Sequence, residues 1–85
     1  MMRCAVVGGG AWGTALAHLL AGVGHEVRLW AREGDVVEHV NATHANPRFL
    51  PGAAVHRRVV ATADMHEALR GAGLVVYAAP SHVLR

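Results

Sequence analysis

The stretch AVVGGGAWGTALAHLL, residues 5–20, decides the fold of this chain, because three consecutive glycines join an apolar run to a helical pattern. The apolar run from Cys4 to Val7 has the length and composition of a strand that is buried on both faces. After the glycines, apolar residues recur at the i, i+3, i+4 and i+7 spacing of one helix face, at Leu16, Leu19, Leu20 and Val23. The chain therefore passes from a strand through a glycine-rich turn into a helix.

The rest of the chain repeats this alternation. Three further strands are predicted from apolar and β-branched runs, at residues 25–30, 58–62 and 74–79. Asp35 and Asp64 are each followed by a glutamate at the third position, which predicts a capped helix start at both places. Residues 41–52, NATHANPRFLPG, carry asparagine and proline signals and predict a loop.

This order of elements predicts an α/β fold, a Rossmann-type doubly wound parallel sheet with strand order 3-2-1-4. The fourth strand then lies at an edge, where its apolar residues invite another partner strand. Pro80 and Ser81 resemble the start of a further helix. We therefore expect the 85 residues to be the truncated first half of a larger fold.

Composition excludes several other classes of protein. The chain is 53% apolar, which predicts a packed core, and its single cysteine excludes a disulfide framework. No two of the seven histidines have the i, i+4 spacing of a helical metal site, so no metal is predicted. The eight arginines are scattered, which argues against nucleic acid as a partner. Without a membrane-length apolar segment or a secretory signal, we expect a soluble cytoplasmic protein with no membrane partner.

Gly8, Gly10 and Gly13 fit the pattern G-x-G-x-x-G at the junction of strand and helix. In dinucleotide-binding folds the first glycine permits the tight turn, the second lets the diphosphate approach the backbone, and the third lets helix and strand pack closely. The free N–H groups around Ala11, Trp12 and Gly13 would then face the phosphates at the positive end of the helix dipole. A tight turn alone does not require three glycines in this register, so we predict a dinucleotide site.

The residues after the second strand bear on the choice of cofactor. NAD-binding folds often have an acid there for the ribose 2′-hydroxyl, whereas this chain has Trp30, Ala31 and then Arg32. The Arg32 guanidinium suits a 2′-phosphate, which favours NADP, while the adjacent Glu33 could bind a ribose hydroxyl and leaves NAD open. Arg32 could also be an ordinary solvated loop residue. His82, after the fourth strand, is a weaker candidate for a residue near the nicotinamide.

Three motifs are recognisable together: GGGAWGTALAHLLAGVGHEVRLWAR (8–32), NPRFLPG (46–52) and APSHVLR (79–85). They resemble the amino-terminal part of bacterial NAD(P)-dependent glycerol-3-phosphate dehydrogenase, over essentially the whole chain. The resemblance implies reversible hydride transfer between NAD(P)H and dihydroxyacetone phosphate, giving sn-glycerol 3-phosphate for phospholipid synthesis. It implies cofactor contacts at Ala11, Trp12 and Arg32, with Glu33 beside them. Ala11 is often serine in the family, so only its backbone contact carries over, and the loop from Asn46 to Pro51 receives no role.

The resemblance also implies that the catalytic lysine and the groups that bind the substrate phosphate lie in later segments, and this chain has no lysine. Residues 1–85 would then be a partial NAD(P)-binding Rossmann domain without the catalytic helical domain and without a catalytic residue. We expect it to bind cofactor but not to turn over, with a homodimer as one candidate assembly. Two alternatives stay open: the Rossmann domain of a ketopantoate reductase or 3-hydroxyacid dehydrogenase, and a non-catalytic nucleotide-binding module.

Overall fold

Parallel strands form the centre of the structure, a computed structural model that describes residues 1–78. The elements follow one another as β1 (Arg3–Val7), α1 (Ala11–Gly22), β2 (Glu26–Trp30), α2 (Gly34–Thr43), β3 (Ala45–Asn46), β4 (Leu50–Ala54), β5 (Val59–Thr62), α3 (Met65–Leu69) and β6 (Leu74–Tyr77). The main sheet has the order β5-β2-β1-β6, and each neighbouring pair is parallel. Because β3 and β4 form a separate pair, β5 and β6 are the third and fourth strands of the main sheet. This confirms the α/β class and the predicted strand order 3-2-1-4. Ala79, the predicted helix start at Pro80 and the candidate His82 lie outside the described residues.

The first strand is the centre of the core, as predicted. Cys4, Ala5 and Val6 are 0% exposed and Val7 is 5% exposed. Because side chains alternate along a strand, Cys4 and Val6 share one face, which packs in a cluster with residues of α1 and α2. The opposite face of the sheet is covered by α3. Within residues 1–78, no helix combines the length and apolar character needed to cross a bilayer.

The apolar face predicted for α1 is only partly buried: Leu16 and Leu20 are half-buried, and Leu20 packs against the core cluster. Leu19 and Val23 are 63% and 74% exposed. The buried residues of α1 are instead small ones, namely Gly13, Thr14, Ala17 and Ala21. Small side chains let the helix axis come close to the sheet, which the turn from β1 into α1 requires, while Leu20 packs at the margin of the core cluster and Leu19 faces away from it. Period alone could not separate these two faces, because both recur with helical spacing.

One of the two predicted helix caps is present. The Asp64 carboxylate accepts hydrogen bonds from two backbone N–H groups in the first turn of α3. The other prediction is wrong, because α2 begins earlier: Glu33 is its N-cap residue and makes no side-chain cap bond. Asp35 therefore lies inside the first turn of α2, and its carboxylate accepts from the Arg48 guanidinium at 3.1 and 3.2 Å.

The predicted loop at residues 41–52 is replaced in large part by regular structure. The first residues of the stretch continue α2, and the later ones form an antiparallel pair of strands, β3 and β4. The Asn41 side chain leaves α2 and bonds both backbone groups of Ala61 in β5, at 2.8 and 2.9 Å. It thereby satisfies backbone groups on the outer edge of the sheet, where a further strand would otherwise bind.

Candidate functional site

The glycine-rich turn leaves the carboxyl end of β1 and bends sharply at Gly8. Gly8 has a φ of +131°, a conformation that residues with a Cβ rarely adopt. Its N–H donates to the Trp30 carbonyl at 2.9 Å, which ties the start of the turn to β2. A Cβ on Gly8 would also run into the Ala78 carbonyl oxygen. The first glycine of the motif is therefore required both by conformation and by space.

The other two motif glycines differ from each other. A Cβ on Gly13 would collide with the Gly8 carbonyl oxygen, so the first turn of α1 lies directly against the bend. Gly10 is the N-cap residue of α1, with a φ of −74°, and a Cβ there would meet no heavy atom of residues 1–78 within 4 Å. Packing thus explains Gly13, whereas Gly10 borders open space at the helix N-terminus.

Gly9, between the motif positions, has a role that the sequence pattern did not indicate. A Cβ on Gly9 would lie 2.5 Å from the Ala31 Cβ and 3.5 Å from a methyl carbon of Val36. Gly9 is itself buried. The turn is therefore packed against the residue that immediately precedes Arg32, and this contact brings the glycine motif and the end of β2 together.

Asn46 is a second residue whose role the sequence reasoning missed. Its side chain is fully buried, and its Nδ2 donates to the Gly9 carbonyl at 3.0 Å and to the Thr14 hydroxyl at 2.7 Å. The Thr14 hydroxyl also reaches the Gly9 carbonyl, at 3.3 Å, and the Asn46 Oδ1 accepts from the Phe49 N–H at 3.3 Å. The NPRFLPG segment is thus attached to the glycine turn by its first residue. The available signal was an asparagine before proline, which predicts a turn but not its partner.

Arg32 and Glu33 lie at the carboxyl end of β2, beside the glycine turn. The preceding residue, Ala31, donates its N–H to the Thr62 carbonyl at 3.0 Å, which continues the pairing with β5 to this point. Arg32 is exposed, and Glu33 is half-buried where it begins α2. In the described part of the chain, Arg32 belongs to none of the ion pairs. Its guanidinium is therefore available to an anionic ligand at this edge.

Trp12 and Trp30 occupy different surroundings. Trp12, in the first turn of α1, is 66% exposed. Trp30 is half-buried, and its indole N–H donates to the Ala63 carbonyl at 3.0 Å. Trp30 therefore holds the segment after β5 against the end of β2, whereas Trp12, next to the exposed Ala11, stands free at the helix entrance.

Arg48, in the connection between β3 and β4, forms an exposed ion pair with Asp35 in the first turn of α2. The hydrogen bond from Arg48 holds the pKa of the Asp35 carboxyl below its ordinary value of 3.8. The Arg48 guanidinium also lies 5.6 Å from the centre of the Phe49 ring. The hairpin is thereby attached to the start of α2 as well as to the start of α1.

Comparison with known proteins assigns this arrangement to a family. The family model for the N-terminus of NAD-dependent glycerol-3-phosphate dehydrogenase matches residues 3–85. This chain belongs to that family. A curated relative named glycerol-3-phosphate dehydrogenase, NAD(P)+, from Nitratidesulfovibrio vulgaris is 54% identical over 84 residues, which are 99% of this chain and 26% of the relative. The chain thus spans about a quarter of the length of the curated relatives that it matches.

Solved structures agree with the sequence comparison. The glycerol-3-phosphate dehydrogenase of Coxiella burnetii is 37% identical with a TM-score of 0.80, over 89% of this chain and 23% of that one. The enzyme of Saccharomyces cerevisiae has a TM-score of 0.86 at 25% identity, over 98% of this chain and 27% of that one. The resemblance stated from the motifs is confirmed, and the comparisons do not favour the alternative families.

Proposed function

We propose that this chain forms the cofactor-binding part of an enzyme that transfers a hydride between NAD(P)H and dihydroxyacetone phosphate to give sn-glycerol 3-phosphate. The observation that carries the proposal is the open space at Gly10, at the N-terminus of α1. The neighbouring Gly9 packs on Ala31, the residue before the exposed Arg32. The names of the relatives supply the reaction. In this proposal residues 1–85 are a partial Rossmann domain, and a catalytic helical domain belongs to the rest of the enzyme.

The diphosphate is proposed to bind at the first turn of α1. The N–H groups of Ala11, Trp12 and Gly13 have no acceptor within an α-helix, and they lie at the positive end of its dipole. The missing side chain at Gly10 lets phosphate oxygens reach them. Gly8 and Gly13 bring the bend and the helix entrance together, so that these N–H groups converge on one position.

Cofactor preference is proposed to depend on Arg32 and Glu33. A guanidinium can bind a 2′-phosphate with two parallel hydrogen bonds, so Arg32 favours NADPH. Glu33 can accept from a ribose hydroxyl, so NADH also binds, with lower affinity. The exposure of Arg32 and its absence from the ion pairs of residues 1–78 support this assignment.

The chemistry divides between this chain and the rest of the enzyme. Reduction of a ketone requires a hydride, which the nicotinamide supplies when bound, and a proton donor. This chain has no lysine, and none of the residues at the proposed site is placed as a proton donor. The residues described here therefore bind and orient the cofactor, while protonation and binding of the substrate phosphate fall to later segments. We extend the proposal to a cytoplasmic enzyme of phospholipid synthesis that acts as a homodimer.

The proposal is tested by titrating the full natural chain with NADPH and with NADH while tryptophan emission is recorded. Trp12 stands at the helix entrance and is 66% exposed, so a bound dinucleotide should quench it. Saturable quenching with tighter binding of NADPH is the expected result. A folded protein that binds neither dinucleotide would exclude the proposed function.

A further inference from the structure

The peptide group between Gly9 and Gly10 is held by its carbonyl oxygen. Two donors reach this oxygen, the Asn46 Nδ2 at 3.0 Å and the Thr14 hydroxyl at 3.3 Å, and both side chains are fully buried. In a trans peptide the carbonyl and the N–H point in opposite directions. With the carbonyl directed into the protein toward Asn46, the N–H of Gly10 faces the opposite, open side of the turn.

We propose that Asn46 is a positioning residue for the diphosphate: its side-chain amide fixes the Gly9–Gly10 peptide so that the Gly10 N–H faces the ligand. This role rests on the proposed function, since it presupposes a dinucleotide at the turn. It gives the NPRFLPG segment, which packs behind the glycine motif, a part in cofactor affinity without a contact to the cofactor.

The orientation needs a device because glycines flank the peptide on both sides. Glycine populates both signs of φ, so a peptide between two glycines rotates at little steric cost. The rotated peptide would direct its carbonyl oxygen at the diphosphate and repel it. Asn46 prevents the rotation because a rotated peptide would leave a buried amide donor without an acceptor.

Asn46 is chemically suited to this role. Its amide has two N–H donors, one for the Gly9 carbonyl and one for the Thr14 hydroxyl, and its Oδ1 accepts from the Phe49 N–H. An aspartate of the same shape could not donate to the carbonyl when ionised. The hydrogen bond to Phe49 holds the asparagine in its own hairpin, so the donor approaches the turn from a fixed position.

Asn41 provides a matched control for Asn46. Its side chain also makes two hydrogen bonds to backbone groups, at 2.8 and 2.9 Å, but both go to Ala61 in β5 and neither goes to the glycine turn. Asn41→Ala and Asn46→Ala therefore each remove an asparagine that binds the backbone. Only the second removes the constraint on the Gly9–Gly10 peptide.

The first experiment measures NADPH and ADP affinity and the thermal midpoint of the full natural chain and of both variants. We expect Asn46→Ala to lower the affinity for both ligands by at least about tenfold, which corresponds to the loss of about one hydrogen bond. The affinities of Asn41→Ala should stay within about twofold of wild type. Equal loss of affinity in the two variants, or wild-type affinity in a folded Asn46→Ala protein, would overturn the role of Asn46. A folded wild-type protein that binds neither ligand would overturn the proposed function as well, and these results are distinguishable.

A second measurement needs no variant and decides the question if Asn46→Ala does not fold. In the amide NMR spectrum of the wild-type protein, addition of ADP should move the Gly10 N–H resonance downfield, as expected for a new hydrogen bond to phosphate. A Gly10 resonance that stays in place while those of Ala11 to Gly13 move would show that the Gly9–Gly10 peptide does not face the diphosphate. That result would overturn the proposal.

Discussion

The side-chain amide of Asn46 donates to the hydroxyl of Thr14 across 2.7 Å, which joins the β3–β4 hairpin to the first turn of α1. These two are the buried polar side chains of residues 1–78. A buried polar group without a partner costs free energy, so the two side chains hold each other and the Gly9 carbonyl in one arrangement. The glycine-rich turn thus depends on a residue 32 positions beyond Thr14.

Removal of the Thr14 hydroxyl should destabilise the fold. Thr14→Val keeps the shape of the side chain but leaves one Asn46 donor without an acceptor, so we expect a loss of about 1–2 kcal/mol in the free energy of unfolding, measured in urea. Thr43→Val is the control, because the Thr43 hydroxyl donates to the His39 carbonyl on an exposed part of α2. Equal losses in the two variants would contradict the buried network as the cause.

Gly9 should tolerate substitution poorly although it is outside the G-x-G-x-x-G positions. In Gly9→Ala the new methyl group would lie 2.5 Å from the Ala31 Cβ, so the turn and β2 must separate. We expect a loss of about 1–3 kcal/mol in unfolding free energy. Gly34→Ala is the control: its added methyl group would meet no heavy atom of residues 1–78 within 4 Å, so its stability should be close to that of wild type. A stable Gly9→Ala protein would show that Gly9 and Ala31 are farther apart.

In contrast to Gly9, substitution of Gly10 should leave stability nearly unchanged and lower cofactor affinity. A Cβ at Gly10 meets open space in residues 1–78, and its φ of −74° suits alanine. Gly10→Ala should therefore change stability by less than about 1 kcal/mol, the usual cost of alanine at an N-cap. The new methyl group would occupy the proposed diphosphate position, so NADPH affinity should fall at least about tenfold in the fluorescence titration. Unchanged affinity would place the diphosphate elsewhere.

Arg32 should determine the preference between the two cofactors. A hydrogen bond to a charged group contributes about 1.5–3 kcal/mol, so Arg32→Ala should weaken NADPH about 10- to 100-fold and change NADH far less. Arg57→Ala is the control. Arg57 is also exposed, but it precedes β5 and so lies at the amino ends of the parallel strands, whereas Arg32 lies at their carboxyl ends. Equal weakening of both cofactors by Arg32→Ala would argue against recognition of the 2′-phosphate.

The Asp35–Arg48 pair should make stability depend on pH in the acid range. The hydrogen bond from Arg48 lowers the pKa of Asp35 below 3.8, so folding favours the ionised carboxylate. The pair therefore stabilises the protein above the unfolded-state pKa and loses this effect as pH falls through the lower folded-state pKa. Urea midpoints of wild type and Asp35→Asn should differ at neutral pH and converge below pH 3.8. A constant gap between wild type and Asp35→Asn across the acid range would contradict the assignment.

Apart from the β3–β4 hairpin, which was predicted as a loop, the order of elements was readable from the sequence because it depends on local patterns. The apolar run at Cys4 to Val7, the glycines after it and the alternation before Trp30 predict strand, turn, helix and strand without knowledge of the rest. The cap at Asp64 was also predicted, since the N–H groups that donate to its carboxylate belong to residues two and three positions later in the chain. The buried face of α1 was not predicted, because the row of residues that contains Leu19 and the row that contains Ala17 both have helical spacing. Only their distance from the sheet distinguishes the two rows.

The sequence by itself determined the parallel α/β fold, the order of its strands, the family and the positions of Gly8, Gly10, Gly13 and Arg32 at its carboxyl edge. Only the tertiary structure decided that Gly9 packs on Ala31 and that Asn46 holds the Gly9 carbonyl. The physical reason is range: a strand, a turn or a cap is set by residues a few positions apart, whereas these contacts join segments that become neighbours only when the sheet and the hairpin assemble. A sequence pattern describes neighbours along the chain and does not specify which distant segments come into contact.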